Sequence, residues 1–239
     1  MENSYIALDI ETTGLDPKKD KIIEIGGLRV RNGTIEERFH SLIHPGRELN
    51  EGIVALTGIT DEMVKKSPKI QEIIGDVADF CLGLPLLGHR ILFDYSFLKR
   101  AAVNQGIGWE RQGIDTLKLC RLFMPKEESK TLANACRFYQ VKAENCHRAL
   151  GDAYAAHMLY QELAKQYQES FPESFRPGEL IYKVKKEQPA SKGQKERLQE
   201  LLKYHKIKAP VQIGDLTRNE ASRLTDEIIS RYGRMETRV

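Results

Sequence analysis

The sequence has few cysteines, no long apolar stretch and no basic stretch at its start. The four cysteines lie far apart and form no Cys-x-x-Cys pair, so neither a zinc ribbon nor a disulfide framework is indicated. No apolar run approaches the ~18 residues that a membrane-spanning helix needs, and the first residues lack the basic segment that opens a signal peptide. We therefore expect a cytoplasmic protein with reduced thiols and no membrane contact.

The composition suits a globular protein. Of the 239 residues, 41% are hydrophobic and 30% are charged, which excludes a disordered or fibrous chain. Residues 1–182 carry 23 Lys and Arg against 26 Asp and Glu, a net charge of −3, whereas residues 183–239 carry 14 against 8, a net charge of +6. The basic tail suggests an anionic partner such as nucleic acid, and a solvated helical surface is the alternative.

The hydrophobic pattern predicts an α/β fold. Strands are expected at 5–10, 22–30, 35–43 and 84–87 and near residue 114, and the turn Asn32-Gly33 suits a tight hairpin. Helices are expected at 70–81, 95–104, 116–123, 131–139 and 149–167. Three antiparallel strands followed by alternating helix and strand indicate a mixed β-sheet flanked by helices.

The periodicity breaks after Phe171, which divides the chain. We expect a first domain at residues 1–180, a charged linker at 181–190 and a small basic helical module at 191–239. Two capping boxes, Ser191-Lys-Gly-Gln194 and Thr217-Arg-Asn-Glu220, predict that this module contains two short helices.

Two carboxylates stand at the end of the first predicted strand. Asp9 and Glu11 are two residues apart, so their side chains point to the same face. Burying this pair costs desolvation and mutual repulsion unless a cation compensates, and a divalent metal ion is the common one. A hydrated pair at an exposed strand end is the alternative.

Two further motifs place acids at the starts of helices. Asp94 follows a core strand, and His147 and Asp152 open the long helix predicted at 149–167. Five residues of regular helix turn through about 500°, so to face one site His147 should lie in the loop or first turn, with Asp152 within the helix. A histidine in that position suits a proton acceptor better than a fixed metal ligand. Taken singly, these residues would be a helix cap, a solvated charge and a packed or surface histidine.

Together these motifs resemble those of the DEDDh (DnaQ-like) 3′→5′ exonucleases, which have a ribonuclease H-like fold. The resemblance rests on Asp9-Ile-Glu11-Thr-Thr-Gly14, Gly88-His-Arg-Ile-Leu-Phe-Asp94 and His147-Arg-Ala-Leu-Gly-Asp152. The resemblance covers roughly residues 4–168. The proteins that the chain resembles include the proofreading epsilon subunit of bacterial DNA polymerase III and its stand-alone relatives.

The resemblance implies a metal-dependent nuclease site. Asp9, Glu11, Asp94 and Asp152 match the acidic positions that hold two Mg²⁺ or Mn²⁺ ions, and His147 matches the general base. The expected reaction is hydrolysis from the 3′ end of single-stranded DNA or frayed ends, with release of nucleoside 5′-monophosphates. Replication proofreading or repair is the expected context, with a replicative polymerase as an expected separate partner chain.

The resemblance also suggests residues that hold the substrate. They lie after the first acidic pair, in the loop at 58–59 and around the second motif: Thr12, Thr13, Gly14, Leu15, Gly58, Ile59, His89, Arg90 and Phe93. For the apolar members Leu15, Ile59 and Phe93, ordinary core packing is the alternative. Arg90 departs from the Asn that relatives often have. An exoribonuclease of the same superfamily, or a non-catalytic nucleic-acid-binding or polymerase-tethering module, are the alternative functions.

Overall fold

The computed structural model describes residues 3–142, 148–209 and 211–235. The chain forms two compact units, one from the residues up to Pro45 together with Leu49–Val184, the other from Gly46–Glu48 and the residues from Lys185 onward. The first unit contains a sheet with helices, and the second contains a pair of helices.

The first unit is built on a six-stranded sheet with the order β3-β2-β1-β4-β5-β6. Its strands are β1 (Tyr5–Thr12), β2 (Ile22–Arg31), β3 (Thr34–Leu42), β4 (Leu86–Gly88), β5 (Gln112–Asp115) and β6 (Gly178–Glu179). The first three strands form an antiparallel meander, β4 and β5 continue the sheet parallel to β1, and β6 is antiparallel to β5. The predicted α/β class with a mixed sheet is confirmed.

Seven α-helices of the first unit are α1 (Glu51–Thr57), α2 (Asp61–Val64), α3 (Ile70–Phe80), α4 (Ile91–Asn104), α5 (Thr116–Phe123), α6 (Leu132–Phe138) and α7 (Ala149–Tyr167). The five predicted helices are confirmed, but α4 begins four residues earlier than predicted, which places Asp94 inside its first turn. Short α1 and α2 were not predicted, because one or two turns show no clear periodicity.

The hairpin between β2 and β3 forms at the predicted turn. Asn32 and Gly33 both have positive φ, 50° and 80°, as a type I′ turn requires.

Two hydrophobic clusters cover the two faces of the sheet, and β1 contributes to both. Ile6, Leu8 and Ile10 belong to the cluster that includes α3 and α4, whereas Tyr5 and Ala7 belong to the cluster that includes α5, α6 and α7. Because alternate residues of a strand share a face, Asp9 and Glu11 continue the row of Tyr5 and Ala7. The acidic pair therefore lies on the α7 face.

The second unit contains α8 (Lys192–Tyr204) and α9 (Arg218–Tyr232), and both predicted capping boxes are present. Their helix starts are linked by Gln194 Nε2, which donates to the Arg218 carbonyl at 3.2 Å. Their ends are linked by His205 Nε2, which donates to the Gly233 carbonyl at 3.0 Å. The two helices therefore run parallel around a small core that includes Leu198, Leu201, Leu202, Ala221 and Ile228.

None of the helices in the described ranges is both long and apolar enough to cross a membrane.

Candidate active site

Three carboxylates from distant parts of the chain meet at the end of β1. Asp9 and Glu11 face α7, and Asp152 lies in the first turn of α7. One carboxylate oxygen from each of the three lies within 4.8 Å of the others, and each residue is half-buried. This spacing lets one cation contact all three carboxylates.

Asp94 is the fourth carboxylate. It lies in the first turn of α4, is 3% exposed, and its Oδ1 accepts the backbone N–H of Ile10 at 3.1 Å. Ile10 stands between Asp9 and Glu11 in β1, so this hydrogen bond fixes α4 to the strand that carries the acidic pair. Asp94 also adds to the negative potential at Asp9.

The electrostatics show a concentration of negative charge. Burial raises the pKa of Asp9 well above its usual range, and the nearby charges of Asp94 and Asp152 raise it further. Burial raises the pKa of Glu11 to about 7, with a further contribution from Asp152. Burial likewise raises the pKa of Asp94. Clustered carboxylate oxygens with raised pKa values fit a hard divalent cation, which supplies the missing positive charge.

His147 lies outside the described residues. Helix α7 begins at Ala149, and Asp152 lies in its first turn.

Glu24 of β2 is a buried carboxylate that sequence reasoning missed. It is 0% exposed and accepts hydrogen bonds from Arg148, from His40 and from the backbone N–H of Ala149. Burial raises the pKa of Glu24, but these hydrogen bonds outweigh burial and lower it, so the carboxylate is ionised at neutral pH. An acid inside the apolar run 22–25 was the available signal.

The loop after β1 is held by its own polar groups. The Thr12 hydroxyl donates to the Gly14 carbonyl at 2.6 Å, and the Thr13 hydroxyl accepts the Lys21 N–H at 3.0 Å. This loop leaves Leu15 78% exposed, which excludes core packing for its side chain.

The loop after α1 is mostly structural. Gly58 ends α1 with a φ of 69°, a left-handed conformation that favours glycine. Ile59 is 0% exposed and packs with Ile23 and Val64, so its side chain belongs to the core.

His89 uses both ring nitrogens inside the protein. Its Nδ1 hydrogen-bonds the Thr116 hydroxyl at 2.9 Å, and its Nε2 hydrogen-bonds the Lys130 carbonyl at 2.7 Å. Burial lowers the pKa of His89, which keeps the ring neutral. The described contacts thus give this side chain a structural role beside the site.

Arg90 and Phe93 flank the start of α4. Arg90 is exposed with a φ of 75°, an uncommon conformation for a residue with a side chain, and its N–H is held by Asp115 at 2.9 Å. The Arg90 guanidinium lies 5.8 Å from the centre of the Phe93 ring, which is half-buried against Phe97.

Comparison with known proteins identifies the family. Residues 6–160 match the RNase_T family model, described as Exonuclease. The chain belongs to this exonuclease family. The resemblance inferred from the three motifs, to the DnaQ-like DEDDh exonucleases, is confirmed.

Relatives of this chain include much longer proteins. It is 34% identical over 169 residues to DNA polymerase III PolC-type of Caldanaerobacter subterraneus subsp. tengcongensis, in an alignment that covers 71% of this chain and 12% of that protein. It is 37% identical over 151 residues to DNA polymerase III PolC-type of Thermotoga petrophila, covering 63% of this chain and 11% of that one. The chain therefore spans only a small part of the length of these relatives.

Solved structures share the fold. E. coli Exonuclease I in complex with a dT13 oligonucleotide aligns with a TM-score of 0.62 at 18% identity, over 72% of this chain and 43% of that chain. Exonuclease X in complex with 5′ overhanging duplex DNA aligns with a TM-score of 0.54 at 24% identity, over 68% and 92%. These matches agree with the expected ribonuclease H-like fold.

Proposed function

We propose that this protein is a metal-dependent 3′→5′ exonuclease that hydrolyses single-stranded DNA or frayed 3′ ends and releases nucleoside 5′-monophosphates. The observation that carries the proposal is the meeting of Asp9, Glu11 and Asp152, with Asp94 bonded to the same strand. Family membership and the nucleic-acid complexes of Exonuclease I and Exonuclease X support it.

The four carboxylates would hold two Mg²⁺ or Mn²⁺ ions. When bound, such ions neutralise charge on the scissile phosphate and lower the pKa of an attacking water. The carboxylates of Asp9, Glu11, Asp94 and Asp152 must be ionised to bind them, which opposes the raised pKa values of the metal-free site. His147 would take the proton of the attacking water as general base.

The terminal nucleotide would contact the loop after β1 and the start of α4. Leu15 offers an exposed apolar side chain for a base or sugar, with Thr12, Thr13 and Gly14 supplying backbone groups. Arg90 offers an exposed cation for a phosphate, and Phe93 supports it. Gly58, Ile59 and His89 would shape the pocket from behind.

The second unit would bind the strand through the ends of α8 and α9, a surface we call the aromatic–basic end: Lys203, Tyr204, Lys206, Arg231, Tyr232 and Arg234. Tyr204 and Tyr232 are each 47% exposed, and the segments 203–206 and 231–234 contain four cations and no acid. Cations on the last helical turns also balance the helix dipoles, but Lys206 and Arg234 lie beyond those turns. Exposed rings among cations suit stacking bases and a phosphate backbone.

The setting of the reaction is also a proposal. We place it in replication proofreading or repair in the cytoplasm, where the buried thiols of Cys81, Cys120 and Cys136 stay reduced. A replicative polymerase is the proposed protein partner, by analogy with the PolC-type relatives.

A time course on 5′-labelled oligonucleotides tests the activity. With Mg²⁺ or Mn²⁺ we expect a ladder that shortens from the 3′ end of single-stranded DNA, 5′-monophosphate products, and no cleavage in EDTA. The same sequence as RNA and as a blunt duplex sets the substrate preference, and a blocked 3′ end is the control. Faster cleavage of the RNA would favour the exoribonuclease alternative, and no cleavage of any substrate would contradict the proposal.

A further inference from the structure

Glu24 is a carboxylate buried beside another acid. The residue is 0% exposed and lies opposite Glu11 in the pairing of β1 with β2. A buried carboxylate beside another acid is costly unless cations and donors surround it. The partners of Glu24 therefore indicate what this residue does.

Those partners belong mainly to the start of α7. Arg148 Nη2 and Nε donate to Glu24 Oε1 at 2.6 and 3.0 Å, and the backbone N–H of Ala149 donates to Oε2 at 3.0 Å. The N–H groups of the first helical turn have no partner within the helix, so the Glu24 side chain, which comes from β2, caps the start of α7. His40 Nε2 adds a hydrogen bond at 2.7 Å from β3.

The backbone of α7 also approaches β2 closely, two residues from Glu24. A Cβ atom built on Gly26 would lie 2.2 Å from the Leu150 nitrogen and 2.3 Å from the Ala149 carbonyl carbon. No side chain fits between β2 and the helix start at this point. Glu24 and Gly26 thus form one docking point, the first through hydrogen bonds and the second through contact.

Asp152 lies one turn beyond this docking point, and its N–H donates to the Arg148 carbonyl at 2.9 Å. A shift in the helix start would move the Asp152 carboxylate relative to Asp9 and Glu11. We infer that Glu24 is a positioning residue that fixes the start of α7 and so holds Asp152 within reach of the same metal ion as Asp9 and Glu11. This inference rests on the proposed function in taking these acids as metal ligands.

The test compares Glu24→Gln, which keeps the size of the side chain, with the wild-type chain. Loss of a group that orients a ligand typically lowers metal affinity or activity about 10–100-fold. We expect a fall of that size in Mn²⁺ affinity by calorimetry and in kcat, with KM for a short oligonucleotide little changed. Measuring at pH 8.5 keeps Glu11 ionised in both proteins, since its pKa is about 7.

Arg29→Met is the matched control on the same strand. Arg29 pairs with Glu37 at 2.6 Å and donates to the Phe80 carbonyl at 2.8 Å, interactions that do not involve α7. This variant should lower thermal stability and leave Mn²⁺ affinity unchanged. Hydrogen exchange should become faster in the first turn of α7 in Glu24→Gln and not in Arg29→Met.

A Glu24→Gln protein that is destabilised like the control, yet binds Mn²⁺ as the wild type does, overturns the inference and assigns Glu24 a role in stability alone. If that variant does not fold, Arg148→Met replaces it, because the Arg148 side chain is 38% exposed and tolerates truncation. Loss of Mn²⁺ affinity in Arg148→Met supports the inference, and unchanged affinity overturns it. Wild-type protein that binds Mn²⁺ but cleaves nothing contradicts the proposed function and leaves the calorimetric test valid.

Discussion

Asp94 Oδ1 accepts the backbone N–H of Ile10 at 3.1 Å, at a point of β1 beyond its pairing with β4. The carboxylate of Asp94 therefore satisfies a buried main-chain donor and also contributes negative charge to the acidic site. Substitution of Asp94 by Asn separates the two contributions, because the amide keeps the acceptor oxygen for the Ile10 N–H and loses the negative charge.

We expect Asp94→Asn to remove nearly all metal-dependent cleavage while the metal-free protein stays as stable as the wild type or becomes more stable. Asp94→Ala should also remove cleavage but lose about 1–3 kcal/mol of stability, because the Ile10 N–H is left without a partner. Urea unfolding in EDTA and an exonuclease assay check both variants. Equal stability of the two variants would contradict the role of Asp94 as the acceptor of the Ile10 N–H.

Metal binding should strengthen as pH rises through neutrality. Glu11 has a pKa of about 7 in the folded protein, and it must lose its proton to bind a cation. Mn²⁺ affinity measured by calorimetry from pH 5.5 to 8.5 should rise and then level off. Glu11→Gln should bind Mn²⁺ more weakly and flatten the part of this dependence that Glu11 contributes.

The same pKa sets the opposite trend for the metal-free fold. Between the ordinary pKa of 4.5 and about 7, the folded state holds more protons on Glu11 than the unfolded state does. The free energy of unfolding should therefore fall as pH rises through this range, and added Mn²⁺ should restore it. Thermal melts in EDTA across this pH range measure the direction of the change. A stability that rises with pH in this range would contradict the prediction.

His147→Ala should lower kcat by about 10²- to 10⁴-fold, the usual contribution of a general base, and leave Mn²⁺ binding intact. Calorimetry and kinetics on one preparation separate the two effects. If the substitution abolishes Mn²⁺ binding, His147 is a ligand and the proposed role as base is wrong.

Leu15 and Ile59 should respond in opposite ways to truncation. Leu15→Ala should change stability by less than about 0.5 kcal/mol, since the side chain is 78% exposed, and should raise KM. Ile59→Ala should cost about 2–5 kcal/mol, because Ile59 is fully buried. Urea unfolding and KM on a short oligonucleotide measure the contrast, and an unchanged KM for Leu15→Ala would remove it from the substrate site.

Charge reversal at the aromatic–basic end should weaken strand binding without changing turnover. For Lys206→Glu/Arg234→Glu, the logarithm of the binding constant for single-stranded DNA should depend less on log salt, by about 0.7 for each phosphate that the protein no longer neutralises. Lys192→Glu at the opposite end of α8 is the control. Fluorescence titrations in Ca²⁺ measure these slopes, and superimposable curves would indicate a solvated surface or a protein-docking role.

The period of two along β1 predicted that Asp9 and Glu11 share a face, and helical periodicity predicted the bounds of α7. Both follow from local patterns, which depend on nearest neighbours in the sequence. The capping boxes at Ser191 and Thr217 were predicted for the same reason.

Other features depend on interactions between distant segments. Glu24 stands out as an acid within an apolar run, but its role could not be predicted, because its partners Arg148 and Ala149 lie more than 120 positions away. His89 fits its motif, but its two hydrogen bonds reach Thr116 and Lys130, which no spacing rule connects to it. Two-residue β6 is too short for any periodicity.

The docking of α7 on Gly26 and Glu24 also bears on the synthesis of the protein. Asp9 and Asp152 are 143 positions apart, so a ribosome-bound chain carries the acidic pair long before it carries the residue that completes their group. Asp9, Glu11 and Asp94 therefore precede α7 in the chain, and α7 carries the fourth acid, Asp152. A nascent chain can complete this group of carboxylates only after α7 has left the exit tunnel and packed against β2.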